Sequence, residues 1–366
     1  MTYRGDRTHG GPVVGSVENS AHHADWDGFL ARTAGGDLVQ SAAWGRVKRA
    51  AGMETHRVLV RQRDELAGGV QLLVRRFGSL GAVAYAPFGP VVAPQAPDDV
   101  FTVLVEQLLR EVRRKRIRAL FVQPPENGDR VATALRSSGF RPTVVGVAPS
   151  ATLRIDVQAN PEQLLERMSK HARREFRQSL REPVTVRKAC RHDLGSFYEL
   201  YCCTAARHAF PPLSYRYVSS LWEELHPLGW VEIFLAEVDG VDVAANMVTS
   251  FSGVVTGRLL GFDPARLSRR LRPNEALIWE IIRWAAETGA KALDVGGVDR
   301  PEALALSTGA AQHKTRLGGT PILYPEPLQL IPNPVLRSGF RAVRSSQLLR
   351  RFESRWRTDS SVKSNS

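Results

Sequence analysis

Apolar and polar positions along this chain change their period in a repeating order. In RVLVRQRDELAGGVQLLV (57–74), two apolar runs flank a polar centre, which is the pattern of a strand, a turn and a second strand. A third strand is expected in AVAYAPFGPVV (82–92), a helix in DDVFTVLVEQLLREVRRKR (98–116) and a strand in RALFVQPP (118–125). The same order then returns. EIFLAEVDGVDVAANMVTS (232–250) reads as a hairpin around Asp239-Gly240, a strong turn dipeptide. VVTGRLLGFD (254–263) follows as strand, NEALIWEIIRWAAETG (274–289) as helix and KALDVGG (291–297) as strand. The spacing agrees: 52 positions separate Ala67 from Ala119, and 48 separate Ala244 from Ala292. Each closing strand is followed by glycine and more strand, GFRPTVVGV in the first case and RLGGTPILY in the second.

Between the two copies lies NPEQLLERMSKHARREFRQSLRE (160–182). Asn160 can cap a helix, Pro161 suits its first position and Gln163 completes a capping box. Leu165, Met168, Ala172 and Phe176 are spaced to share one face of a single helix over 161–181. The remaining surface carries Arg167, Lys170, His171, Arg173, Arg174, Arg177 and Arg181, answered locally by Glu166, Glu175 and Glu182. Two readings are open, a solvated amphipathic face and a surface for a phosphate backbone. A second basic stretch holds Arg337, Arg341, Arg344, Arg350, Arg351, Arg355 and Arg357 against Glu353, with Val343, Leu348, Leu349, Phe352 and Trp356 spaced for docking. Membrane-surface attraction and RNA binding suit it equally.

Composition sharpens this. The 366 residues suit two α/β domains, and 43% hydrophobic with 24% charged residues is a globular profile. Lys and Arg number 50 against 37 Asp and Glu, a net +13 that attracts phosphates. Cys190, Cys202 and Cys203 form no C-x-x-C pair, and an odd count argues against a disulfide framework, so a cytoplasmic setting is expected. No apolar run is long enough to span a membrane. Residues 1–25 lack the apolar core of a signal peptide and read as a flexible lead, and 358–366 as a disordered tail.

Several chemistries have no sequence support. The P-loop and the dinucleotide glycine fingerprint are missing, as are H-E-x-x-H and G-x-S-x-G. No metal and no cofactor are therefore expected.

Two hairpins, each feeding a helix and a further strand, resemble two copies of the N-acetyltransferase (GNAT) core. The resemblance implies a mixed α/β fold of two tandem GNAT-like domains, one over 26–150 completed by 322–357 and one over 151–321. Members that use acetyl-CoA cradle its pyrophosphate on [RQ]-x-x-G-x-[GA]. Here Arg136-Ser-Ser-Gly139-Phe-Arg141 begins the pattern and ends it with arginine, and GFDPARLSRRLRPNEA has no glycine after Gly261. A different acyl donor is implied.

LVQSAAWGRVKRAAG, YAPFGPVV, LERMSKHARREFRQSLRE, LRPNEALIWEIIRWAAETGAKALDVGG and HKTRLGGTPILYPEPL, in that order between Leu38 and Leu330, resemble the Fem-type (FemABX) aminoacyltransferases. These move an amino acid from aminoacyl-tRNA to an amine on a peptidoglycan precursor; a small natural-product amine is the alternative acceptor. The coiled-coil arm of some members is not visible, and the family's phenylalanine-lysine pair appears as His313-Lys314. The resemblance makes Lys314 a catalytic candidate that stabilises an oxyanion or the tRNA phosphate, where a solitary lysine would be a surface residue. His313 is then a stacking wall. Lys48 matches a lysine that contacts substrate phosphate, or is an ordinary exposed helix lysine. Arg207, with Tyr215 or Tyr217, matches an acceptor groove, or serves structure. Asn274 could shape the site or cap a helix from Glu275, and Asp294 could accept the amine proton or satisfy loop amides. The basic residues Arg167, Lys170, Arg173, Arg174, Arg177 and Arg181 become the tRNA surface. An acyl-CoA N-acyltransferase and a non-catalytic RNA-binding protein remain as rivals.

Overall fold

A computed structural model describes residues 13–18, 24–146, 148–267, 270–298, 314–334 and 336–337. The first part of the chain forms β1 (Val13–Glu18), α1 (Ala24–Arg32), α2 (Ala42–Ala50), β2 (Glu54–Gln62), β3 (Glu65–Arg76), β4 (Ala82–Ala86), β5 (Val91–Val92), α3 (Asp98–Arg114), β6 (Ile117–Val122), α4 (Asp129–Ser137) and β7 (Arg141–Pro142). The second part forms β8 (Ala151–Asp156), α5 (Pro161–Arg167), α6 (Lys170–Ser179), β9 (Thr185–Lys188), α7 (Leu194–Arg207), α8 (Tyr215–Leu225), β10 (Val231–Val238), β11 (Val241–Phe251), β12 (Val254–Phe262), α9 (Pro273–Glu287), β13 (Ala292–Gly297) and β14 (Thr320–Leu323). A last strand, β15 (Leu328–Leu330), follows.

The fold is two GNAT-like halves of mixed α/β structure. The first sheet runs β1-β2-β3-β4-β6-β15-β7, with β5 on β3, and the second runs β14-β8-β13-β12-β11-β10-β9. Each sheet contains one parallel pair, β4 with β6 and β12 with β13, joined by α3 and α9 respectively. The chain returns home at its end, because β15 inserts between β6 and β7 after β14 has paired with β8. The handover lies at Tyr324–Pro327, just beyond residue 322, and is pinned by Tyr324 N donating to Ser150 O (3.1 Å) and Thr143 N to Pro327 O (3.0 Å).

Local chemistry accounts for most elements. Asp239 and Gly240 have φ of 51° and 80°, the positive pair that a tight hairpin turn requires between β10 and β11. In α3, Val100, Leu104, Val105, Leu108 and Val112 recur at helical spacing and are buried against the first sheet. Asn160 and Gln163 close the capping box at the start of α5. One apolar cluster ties the halves together: Trp26, Trp44 and Val47 of the first pack with Phe197, Tyr217 and Leu221 of the second. Dense packing of this kind transmits displacement rather than absorbing it.

Several expectations are corrected. Val13–Glu18, assigned to a flexible lead, pairs along its whole length with β2. The basic helix is two helices, since Met168 leaves the helical conformation and the Ser169 side chain caps a new start by accepting from Ala172 N. The face is nevertheless as expected, with Leu165, Met168, Ala172 and Phe176 all buried. AVAYAPFGPVV is two short strands parted by a turn with a cis Gly89–Pro90 bond. Gly139, at φ 93°, ends α4 as a left-handed cap and is no phosphate loop. The turn that leads from β4 into α3 is instead 87–97, and α3 opens on Asp98 and Asp99, whose charge repels a pyrophosphate.

Candidate active site

The second sheet opens at Asp294. Strands β12 and β13 pair only through Val254–Ala292, Val255–Leu293 and Thr256–Asp294, and then separate. On the other side, β13 faces Arg154 at Asp294 but Thr152 only at Gly297, so a bulge lies between. The Asp294 carboxylate fills that break. It accepts from the Thr152 hydroxyl and from Gly296 N (2.8 Å), and its Oδ2 lies 3.6 Å from Arg154 Nε. Gly296 has φ 88°, which allows the backbone to turn its N–H back onto the side chain.

Lys314 enters the same opening. Its Nζ donates to Gly297 O at 2.9 Å. Burial pushes its pKa below the ordinary lysine range, and the Asp294 charge opposes that shift. Lys314 and Asp294, far apart in sequence, thus form one constellation. Of the loop amides, Asp294 accepts from Gly296 N, and its carboxylate also meets Thr152 and Arg154.

The first half supplies the opposite wall. Glu126 accepts from Arg154 Nη1 at 2.6 Å, bridging the two halves. Asp37 feels the charges of Arg258, Asp294 and Arg154, and burial raises its carboxyl above the usual range. Tyr324, in the handover segment, is buried against Phe88 with ring centroids 4.6 Å apart. Its phenol is held well above the ordinary tyrosine range by burial and then by Asp294 and Asp37. Local sequence explains how Asp37 reaches this wall. Gly35, at φ 80°, packs against Pro125 and Glu126, and a Cβ on Gly36 would collide with Leu30 O. Two glycines therefore end α1 and deliver Asp37, which caps a short 3-10 turn by accepting from Val39 N at 2.9 Å.

The other expected residues divide into several groups. Lys48 is completely buried, its Nζ 5.2 Å from the Trp44 ring centroid and 5.0 Å from that of Tyr217. The exposed-lysine reading fails because α8 of the second half covers α2. The Trp44 ring also carries the Arg258 guanidinium at 5.3 Å, so cations from both halves share one indole. Tyr217 is buried in that contact, whereas Tyr215 is 47% exposed and meets Tyr198 edge-on. Arg207, at the end of α7, is exposed and lies over the Phe262 ring at 5.0 Å, apart from the Lys48 cluster. Asn274 does not cap: α9 begins one residue earlier, at Pro273, and Asn274 Oδ1 is buried without a hydrogen-bond partner. His313 lies outside the described residues, as does all but Arg337 of the second run of basic residues.

The basic surface also differs from a uniform cationic face. Arg173 is half-buried, and its Nη2 donates to Glu166 O (3.1 Å) and Met168 O (3.3 Å), clamping the break between α5 and α6. These bonds give Arg173 a structural part, because the bend frees those carbonyls from helical bonding. Arg167 is paired with Asp156 at 3.3 Å. Lys170, Arg174, Arg177 and Arg181 stay exposed and form no ion pair among the described residues.

Sequence reasoning missed Asp37, Glu126, Arg154 and Tyr324. Tyr324 lies within a stretch carrying the family resemblance, but no local spacing marks the other three. Among the described residues, no group of His, Cys, Asp or Glu side chains is arranged to hold a metal ion, and no helix is long and apolar enough to cross a membrane.

Residues 166–315 match the model of the acetyltransferase (GNAT) domain. The chain is 25% identical over 234 residues to the lipid II:glycine glycyltransferase of Staphylococcus aureus (strain MRSA252), covering 61% of this chain and 54% of that protein. It thus spans about half the length of the curated relatives it matches. Among solved structures, FemX superposes with a TM-score of 0.78 at 17% identity, over 90% of this chain and 100% of that one. A tandem GNAT protein from the clavulanic acid biosynthesis pathway gives 0.53 at 12% identity, over 88% and 99%.

Proposed function

The chain is a Fem-type family member built of two GNAT-like halves, and from that premise we propose that it is an acyltransferase moving an amino acid from aminoacyl-tRNA to an amine of a peptidoglycan precursor. The observation that carries the reading is the Lys314 ammonium, half-buried at the split of the second sheet and held by Gly297 O at 2.9 Å.

An aminoacyl ester is already activated, so the protein has to position it and stabilise charge. The acceptor nitrogen adds its lone pair to the ester carbonyl carbon, and negative charge collects on the carbonyl oxygen. Lys314 faces that charge with an ammonium already fixed on Gly297 O. Collapse breaks the ester C–O bond. The ribose hydroxyl leaves with the proton released by the amine, giving an amide and free tRNA. Strong basic catalysis by Asp294 is unnecessary here, and its hydrogen bond from Gly296 N suits it to shaping the turn whose Gly297 O receives Lys314.

The exposed Lys170, Arg174, Arg177 and Arg181 are the cations suited to the tRNA backbone, and His313 to stacking beside Lys314. The segment 341–357 suits the anionic surface that displays a lipid-linked acceptor. The reaction belongs in the cytoplasm, where charged tRNA is made. Against acyl-CoA as donor stand Asp98 and Asp99 in the first turn of α3. The test is incubation with a pool of radiolabelled charged tRNAs and peptidoglycan-precursor amines, with and without RNase. Label should reach the acceptor only with intact tRNA. Transfer from acetyl-CoA that survives RNase would overturn the reading.

A further inference from the structure

The edge of the first half that lies away from the crevice carries cations without partners. Three stretches meet there: the turn 77–81 ahead of β4, the end of α3 ahead of β6, and the segment after β15, whose Leu330 pairs with Leu120. The last two enclose a cavity of about 340 Å³, lined by the buried Val112 and Ile117, by Arg113, Arg116 and Arg118, and by the turn at Pro332–Asn333. All three arginines are exposed, and none makes an ion pair or a side-chain hydrogen bond among the described residues. Their neighbours differ: Glu111 holds Arg114 at 2.7 and 2.9 Å, and Glu54 holds Arg76 at 2.6 Å. No acidic side chain lines the cavity. Three guanidiniums on one cavity repel one another, and the carbonyl end of α3 offsets only part of that. Arg116 also closes α3 in the left-handed conformation, at φ 53°, a position that glycine fills at lower cost. The turn 77–81 is tied to this cluster. Ala82 N donates to Arg116 O (3.2 Å), and the Arg118 stem lies over Gly81, where a Cβ would sit 2.8 Å from Arg118 Cγ. That turn presents Phe77, 40% exposed, and beyond Asn333 the Leu336 side chain is 46% exposed.

We infer that this edge docks on an anionic bilayer, with the phosphate of an acidic phospholipid in the arginine cavity and Phe77 and Leu336 entering the headgroup boundary. Guanidinium donors suit phosphate oxygens, and the apolar lining suits the glycerol ester beside them. A soluble phosphate would satisfy the arginines and leave Phe77 and Leu336 in water. An RNA backbone would leave Leu336 and the apolar lining unused, whereas a membrane boundary takes up cations and apolar side chains together. Docking here keeps the crevice free, because the six residues of β6 separate this edge from Gln123 and Glu126 by about 20 Å. It would bring the chain to the lipid-linked acceptor proposed above, and it is measured without transfer, so either can fail alone.

The test is co-sedimentation of the full chain with vesicles of phosphatidylglycerol and phosphatidylcholine, and with phosphatidylcholine alone. Binding of tRNA, and of glycerol phosphate by calorimetry, is followed in parallel. Arg113→Gln, Arg116→Asn and Arg118→Gln are combined, asparagine being chosen because it tolerates the left-handed position. Wild type should prefer the anionic vesicles. The triple variant should bind them on the order of 100-fold more weakly, with melting temperature and tRNA binding unchanged. Phe77→Ser, in which the arginines stay intact, should weaken binding on the order of 10-fold without altering its salt dependence. Vesicle binding that survives the triple variant overturns the inference and leaves the membrane contact to the segment 341–357. A parallel loss of tRNA binding assigns the edge to RNA. Glycerol phosphate bound by wild type and lost in the variant, with vesicle binding intact, marks a soluble-ligand site. Either result overturns bilayer docking, as does wild type that sediments equally with both vesicles.

Discussion

The two halves repeat one crossover and use it differently. In the first, β4 and β6 stay paired from Ala82–Ile117 to Ala86–Val122. The closure continues past the strand ends, with Gln123 N donating to Ala86 O and Gly89 N to Gln123 O, both at 3.0 Å. In the second, β12 and β13 part after Thr256–Asp294, and the gap receives Lys314. The helices differ as well: α3 begins with two aspartates, whereas α9 begins on Pro273. The same order of elements therefore makes a closed wall in one half and an open site in the other. What separates them is whether the central parallel pair is completed by backbone or interrupted by charged side chains.

The strongest way to break this comparison is Lys314→Met, which keeps the stem and deletes the charge. Single-turnover transfer should fall on the order of 100- to 1,000-fold, about 3–4 kcal/mol, with the melting temperature little changed. The wild-type rate should also decline as pH rises through a lysine pKa below the usual range, because burial depresses it and only the ammonium is active. A rate that climbs steadily across the ordinary lysine range would contradict this role.

Asp294→Ala comes next. It removes the acceptor for Thr152 and Gly296 and leaves Arg154 with Glu126 alone. Breaking a buried charged contact costs about 3–5 kcal/mol, measurable by urea unfolding. Because Asp294 raises the Lys314 pKa, the milder Asp294→Asn should move the alkaline limb of the rate profile to lower pH. An unmoved limb would separate the two residues.

Arg174→Gln with Arg177→Gln tests the outer face of the second half. The log–log salt dependence of tRNA binding should flatten by roughly 0.7–0.9 for each phosphate that is no longer neutralised, and stability should hold. Arg173 is left intact in this variant, since removing its clamp on Glu166 O and Met168 O would mix binding with folding. The smallest effect belongs to the closed half. Asp98→Asn with Asp99→Asn should reduce stability by about 0.3–1 kcal/mol per charge, without change in transfer. A large drop in transfer would mean that the first crossover, too, meets substrate.

The legibility of the chain follows the range of the interactions. The strands over 57–74 and 232–250, the α5 capping box and the apolar face of Phe176 were readable because each depends on neighbours a few residues apart. The break at Met168 and Ser169 was not, since the sequence pattern stays helical while Ser169 N bonds to Arg316 O across the fold. Lys48 shows the same limit: its helix is polar enough to look exposed, and only the docking of α8 buries it.

The sequence by itself determined the alternation of elements, their doubling, the positions of caps and turns, and the family resemblance that singled out Lys314. These are matters of period and of local hydrogen bonding. Only the tertiary structure decided that Glu126, Arg154, Asp294 and Lys314 meet where the second sheet opens, and that Asp37 and Tyr324 come within reach of the Asp294 charge. The return of β15 to the first sheet and the bulge in β13 bring these residues together. Their meeting is set by which strands pair, and no local pattern near any one of them encodes its partners.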